Sequence, residues 1–368
     1  MATPDVFVVV PPGIEALALE ELQELGLRGE LDEGGVLVRG GLEAVYRVSL
    51  FSRLASRVLL RVGRARGGSL AQLAEGIRHL PWRRYVHPGQ ALDVHVTLRD
   101  SKLHRRDTVA RKVELAVGDA LKRVRKEGRP PRTPAGIWVR VERDKVELSV
   151  DTSGELLHRR GWGRDRTEAP LRENLAAAVL RGCGWVPGQP LIDPMCGSGT
   201  FLIEAATMLA GKAPGAHRSF AFEHFPDHDP ERWAALAAYQ APLAEGALLL
   251  GSDRNPEAVR AARANAKRAG VDAWIDWAEA DLRALACPPD ALGWVISNPP
   301  YGERLAKGQA KSVARSLGGV LRERFAGWGV ALVLPPRLVS AVGLPLETVL
   351  SFSNGGLHVV VAAGVVPS

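Results

Sequence analysis

Asn298-Pro299-Pro300-Tyr301 is the stretch best suited to chemistry in this chain of 368 residues. It follows the apolar run Gly293-Trp294-Val295-Ile296-Ser297, which predicts a short buried strand. Pro299 and Pro300 fix φ and carry no N–H, so the backbone there offers mainly acceptors. Tyr301 adds a flat face on which a base can stack. A planar base with an exocyclic amine fits such a site. Two acceptors, the Asn298 side-chain oxygen and the Pro299 carbonyl, hold the two amine hydrogens while the ring lies on the aromatic. The chemistry implied is a reaction at that nitrogen, and it requires no metal.

A second motif is Asp193-Pro194-Met195-Cys196-Gly197-Ser198-Gly199-Thr200, between the apolar Leu191–Asp193 and a helix at Phe201–Leu209. A glycine-rich turn from strand to helix lets a ligand approach the backbone closely. It is not a P-loop, because no Lys-Ser/Thr follows. It is not the full dinucleotide fingerprint either, because Leu202 stands where the third glycine belongs. A nicotinamide dehydrogenase is thereby disfavoured. Asp253, followed by Arg254 and Asn255, ends the next strand, where a ribose diol would bind. Asp281 and Leu282 end the third, where an acid could meet an adenine amine. Asn298 ends the fourth. The four sites follow one another at the carboxyl edge of an open α/β sheet, the edge at which such sheets bind ligands.

The elements needed to position these residues can be read along the chain. Residues 171–368 alternate strands and helices, with strands expected at Leu191–Asp193, Ala247–Ser252, Trp274–Ala280, Gly293–Ser297, Gly329–Leu334, Leu346–Ser351 and His358–Ala362. This is an α/β fold with a doubly wound, Rossmann-like sheet. Residues 1–63 predict a small α+β unit, with strands at Val6–Val10, Val36–Arg39 and Arg57–Val62 and helices at Ile14–Leu25 and Leu42–Ser49. Residues 64–155 predict a second unit. Ser69 caps a helix there. A long helix beyond Ser101 buries Val109, Val113, Val117, Leu121 and Val124, and a hairpin turns at Arg143-Asp144. Residues 156–170, basic and without period, read as a linker or hinge.

Charge is unevenly spread. The net charge is +7, and residues 99–132 alone hold 12 basic and 5 acidic residues. A polyanion partner is the simplest explanation. Candidate contacts to it are Lys102, Arg105, Arg106, Arg111, Lys112 and Arg123. The three cysteines (Cys183, Cys196, Cys287) are too few and scattered for a disulfide framework or a zinc site. No apolar run is long enough to span a membrane, and the N-terminus lacks the basic region of a signal peptide. A cytoplasmic monomer without a metal is expected.

Asp193 to Thr200, with Arg160-Gly161-Trp162 and Ala169-Pro170-Leu171-Arg172-Glu173-Asn174-Leu175-Ala176 upstream, resembles the THUMP-containing RNA guanine-N2-methyltransferases. The second half is similar to a class I S-adenosylmethionine-dependent methyltransferase domain with a mixed seven-stranded sheet. The first half is similar, mostly in pattern, to an N-terminal ferredoxin-like domain followed by a THUMP domain. The resemblance implies S-adenosyl-L-methionine as cofactor, held by Asp193 to Thr200, Asp253, Arg254, Asp281, Leu282 and Asn298. It implies catalysis by Asn298, Pro299, Pro300 and Tyr301, and tRNA as partner, with methylation at the sixth nucleotide of the acceptor stem. A guanine-N2-methyltransferase of large-subunit ribosomal RNA is a near relative and stays open. So does an adenine-N6-methyltransferase, because Asn-Pro-Pro-Tyr serves either amine. A non-catalytic RNA-binding module is the least favoured reading. The segment 211–247 lengthens the gap before Asp253, and His224 and Phe225 within it are expected to line the cofactor pocket.

Overall fold

Ten residues, Arg57 to Arg66, form the longest strand of the first half of the chain and organise it. The computed structural model describes residues 3–122, 129–165, 171–239, 247–289, 291–301 and 309–368. They form two bodies. The first comprises Met1–Val9, Glu21–Leu157 and Arg218–Tyr239; the second comprises Val10–Glu20, His158–His217 and Gln240–Ser368.

The first part of the chain runs β1 (Asp5–Val9), α1 (Glu15–Glu24), β2 (Gly29–Asp32), β3 (Gly35–Arg39), α2 (Gly41–Phe51), β4 (Arg57–Arg66), α3 (Leu70–Arg78), β5 (Leu92–Arg99), α4 (Arg106–Leu121), β6 (Ala135–Glu142) and β7 (Lys145–Asp151). The seven strands make one sheet in the order β2-β3-β1-β4-β7-β6-β5. Only β5 and β6 pair in parallel among them. β4 pairs with β1 through its first residues and with β7 through to Arg66. The boundary expected between residues 63 and 64 therefore falls inside a strand. Gly63 marks a register shift against β7 rather than an end, and a side chain there would collide with Leu80. The polar edge strand β2 carries no apolar alternation that would have announced it.

Local chemistry explains the other elements. Ser69 accepts a hydrogen bond from the Gln72 amide and starts α3. Val109, Val113, Val117 and Leu121 of α4 are buried at helical spacing; Val124 lies outside the described residues. Arg143 and Asp144 both adopt positive φ, the two-residue hairpin geometry that joins β6 to β7.

The chain continues with α5 (Glu173–Gly182), β8 (Leu191–Asp193), α6 (Thr200–Leu209), α7 (Pro230–Ala237), β9 (Leu249–Asp253), α8 (Pro256–Ala269), β10 (Asp276–Glu279), β11 (Trp294–Ser297), α9 (Gln309–Arg324), β12 (Gly329–Leu334), α10 (Pro336–Val342), β13 (Glu347–Asn354) and β14 (Leu357–Val365). All seven expected strands of this half are present. Their order is β10-β9-β8-β11-β12-β14-β13, parallel through β12, with β14 antiparallel to both its neighbours. Strand order reverses between β8 and β11, and that crevice is the topological switch point of the sheet. The apolar faces of α9, α10 and β12 close one side around the fully buried Phe325 and Trp328.

Two expectations need correction. Residues 218–239, read as part of the methyltransferase half, belong to the first body. Arg218 donates to the carbonyls of Ser153, Glu155 and Leu156, and the Phe222 amide to that of Thr152. Tyr46 meets Phe222, His228 and Trp233. The described part of the expected linker, residues 156–165, is packed rather than hinge-like: Leu157, His158, Arg160 and Trp162 are all buried. Its basic composition without period pointed to a linker, but the Arg160 charge is met by a buried partner, Glu204 of α6, at 3.3 Å.

Candidate active site

The loop after β8 is built on backbone that few residues tolerate. Gly197 and Gly199 have positive φ, and Gly199 is the N-cap of α6 in the left-handed region. A side chain at Gly199 would lie 2.7 Å from the Trp277 ring and 3.0 Å from Ala262. Gly251 of β9 is just as closely covered by the same indole. Trp277 fixes how near the loop lies to the sheet, and nothing in its apolar strand context singled it out.

Two carboxylates hold this loop. Asp253 accepts from the Gly197 amide at 3.0 Å and from the Asn255 amide at 2.9 Å. Asp193, fully buried at the end of β8, accepts from the Ser297 hydroxyl at 2.7 Å and the Met195 amide at 3.2 Å through the same oxygen. Burial pushes the Asp193 carboxyl up to about 7; the Ser297 hydroxyl and the Met195 amide oppose the rise and the Asp253 charge adds to it. Burial also raises the Cys196 thiol, so it is an inert packing group. Behind the loop, Asn265 donates to the carbonyls of Ser198 and Asp165, which ties the segment 158–165 to the cradle. Met195 and Gly197 are the half-exposed points of the loop; Pro194, Cys196, Ser198 and Thr200 are buried.

Asp281 follows β10. A hydrogen bond from Arg283 holds its carboxyl down at about 2, so it is ionised at neutral pH. Leu282 packs on the core and Arg254 is exposed. The strand register brings Glu279 beside Asp253 and Gly251 beside Asp193, so the expected sites share one edge.

Asn298 stands at the fourth strand end, immediately after β11. Its Oδ1 is buried and meets no hydrogen-bond partner among the described residues. Leaving such an acceptor unmet costs about 1–3 kcal/mol, so native structures keep few of them. Pro299 is buried beneath it and Pro300 exposed. Tyr301 is less free than the sequence suggested. Its ring packs partly against the core, burial raises its phenol pKa, and its hydroxyl accepts from Asn354 Nδ2 at 3.0 Å.

His224 and Phe225 take a different place from the one expected. They lie in the first body, where the His224 carbonyl accepts from His87 and Phe225 packs on Tyr85. They line a cavity of about 480 Å³ with His87, Arg129, Arg132 and Thr133. Of the basic residues, Arg105, Arg106 and Arg111 are exposed and make no ion pair among the described residues. Lys102 reaches Asp144 only at 3.9 Å, and Lys112 is half-buried. Arg123 lies outside the described residues. Arg105 and Arg106 sit at the start of α4, where the helix dipole disfavours cations, so folding alone does not ask for them. Among the described residues no cluster of His, Cys, Asp and Glu could hold a metal ion. No described helix is long and apolar enough to cross a membrane.

A mixed seven-stranded sheet, a glycine loop at its switch point and an unmet amide acceptor ahead of Pro-Pro-Tyr define a class I methyltransferase domain. Residues 160–341 match the family described as RMKL-like, methyltransferase domain, and residues 5–59 match the RlmL ferredoxin-like domain. The two matches agree with the observed order, a ferredoxin-like domain followed by an α/β methyltransferase fold. It is 38% identical to the ribosomal RNA large subunit methyltransferase K/L of Syntrophotalea carbinolica, over 96% of this chain and 52% of that protein. It is 37% identical to the protein of the same name from Chromohalobacter salexigens, over 95% and 51%. The chain spans about half the length of these curated relatives. Among solved structures it is similar to SMU.472, a putative methyltransferase complexed with SAH, with a TM-score of 0.89 and 29% identity, over 100% of this chain and 99% of that one.

Proposed function

We propose that the chain is an S-adenosylmethionine-dependent methyltransferase that modifies the N2 amine of a guanine in large-subunit ribosomal RNA. The observation that carries the reading is Asn298 Oδ1, a buried acceptor with no described partner, at the head of Pro-Pro-Tyr on the sheet's ligand edge. The cofactor is S-adenosylmethionine, which supplies an electrophilic methyl group. The residues fit it: the Asp193–Thr200 loop, with positive φ at Gly197 and Gly199, would hold it, Asp253 would take its ribose hydroxyls, and the ionised Asp281 would accept from its base. The two relatives named for ribosomal RNA support that substrate over the tRNA suggested by the sequence resemblance.

The amine of guanine is a poor nucleophile because its lone pair is delocalised into the ring. Asn298 Oδ1 and the Pro299 carbonyl accept its two hydrogens, favour a pyramidal nitrogen and stabilise the positive charge that develops there. The proton leaves after transfer, when the nitrogen is far more acidic. The base is turned out of its stack, and Tyr301, held through its hydroxyl by Asn354, receives it. Residues 64–155 act as a THUMP-type RNA-binding unit, with Arg105, Arg106 and Arg111 on phosphates.

The test is transfer of a labelled methyl group to total ribosomal RNA and tRNA, followed by nucleoside analysis. N2-methylguanosine in the large-subunit RNA is expected, and Asn298→Ala should cut the single-turnover rate roughly 10²–10³-fold. Methyladenosine would transfer the reading to adenine N6; label confined to tRNA would restore the tRNA reading. An unimpaired Asn298→Ala variant would remove Asn298 from the mechanism.

A further inference from the structure

We infer that Ser297 is a positioning residue that locks the amine-binding loop to the cofactor loop through Asp193. The inference rests on the function proposed above. β8 and β11 are neighbours, with Trp294 opposite Leu191 and Val295 opposite Ile192. Their last residues, Asp193 and Ser297, are 2% and 0% exposed. One oxygen of Asp193 receives the Ser297 hydroxyl and the Met195 amide together. Met195 belongs to the cofactor loop, and Ser297 directly precedes Asn298. A single buried carboxyl oxygen thus spans the switch point, with a donor from each loop. Asp253 holds only the cofactor side, through Gly197 and Asn255.

The consequence is geometric. Transfer between two bound partners depends on their in-line approach, and a displacement of about 1 Å can cost 10²-fold. Parallel pairing aligns β8 and β11 only up to Ile192 and Val295. Beyond that level, the Ser297–Asp193 hydrogen bond is, among the described residues, the side-chain link that fixes one loop against the other. Ser297 touches neither ligand; it sets where Asn298 stands.

Ser297→Ala tests this. Three measurements are taken on the full chain: affinity for S-adenosylhomocysteine by calorimetry, amide hydrogen exchange without ligand, and single-turnover methyl transfer. The affinity should stay within about twofold, while transfer falls roughly 10–100-fold. Amides of Met195 and of residues 296–298 should exchange faster, a change that needs no activity to be seen. Ser297→Thr keeps the hydroxyl and should recover most of the rate. An alanine variant with wild-type transfer and exchange overturns the proposal. So does one whose affinity falls in step with its rate, because Ser297 would then serve cofactor binding alone. If the wild-type chain methylates no RNA, the proposed function fails, and the exchange measurement still decides whether the link exists.

Discussion

Asp193→Asn gives a direct reading of how deeply the switch point is buried. The Asp193 carboxyl lies near its ordinary value in the unfolded chain and at about 7 in the folded one. Between those values the folded state holds a proton that the unfolded state has released. The stability contributed by this group is therefore full at low pH. It declines as pH rises from about 4 to 7 and levels off beyond. A rise of about three units corresponds to about 4 kcal/mol, of which about 3 kcal/mol falls between pH 5 and pH 8. Asparagine keeps an oxygen for Ser297 and Met195 but carries no proton to lose. Urea unfolding of both proteins at pH 5, 6, 7 and 8 gives the difference in stability at each pH. That difference should move in favour of the variant by about 3 kcal/mol across the series. Other titrating groups cancel, because they are common to both chains. A difference that stays flat would mean the carboxyl is hydrated or paired, and the burial assigned to it would be wrong.

Two further perturbations test other parts of the structure. Arg105→Ala with Arg106→Ala should weaken RNA binding and lower the slope of log affinity against log salt by about 2, measured by filter binding between 50 and 200 mM salt; an unchanged slope would make the pair a solvated surface. Arg160→Ala deprives the buried Glu204 of this guanidinium and should cost about 3–5 kcal/mol in chemical denaturation, while Arg160→Met with Glu204→Leu should recover most of it.

Much of the second half was legible because central parallel strands such as β8, β11 and β12, buried on both faces, read as short apolar runs. Gly329–Leu334 was read with its observed ends, and the glycine loop, Asp253 and Asn298 took the edge expected of them. What was missed depends on partners far apart in sequence. Arg160 looked like part of a basic linker because Glu204 lies 44 residues on. Ser297 looked like the end of an apolar run, and only pairing with β8 reveals its link to Asp193. His224 and Phe225 were given to the cofactor because the chain around them belongs to the methyltransferase half, whereas their contacts are with residues 85 and 87. Tyr301 was singled out as a flat face for a base, but the Asn354 amide that restrains it was not.

The first body is assembled from pieces that leave the ribosome at different times. Its sheet is complete when Asp151 has been made, yet Phe222, buried in that body, is supplied by residues 218–239. At roughly 5–20 residues per second, synthesis of the intervening stretch of about 80 residues takes on the order of 4–16 s. Throughout that interval the Tyr46 ring and the Thr152 carbonyl are without the partners they meet in the finished protein. The nascent chain therefore carries an uncovered aromatic surface for seconds, long by the standards of folding, until Phe222 and Trp233 arrive to pack on Tyr46.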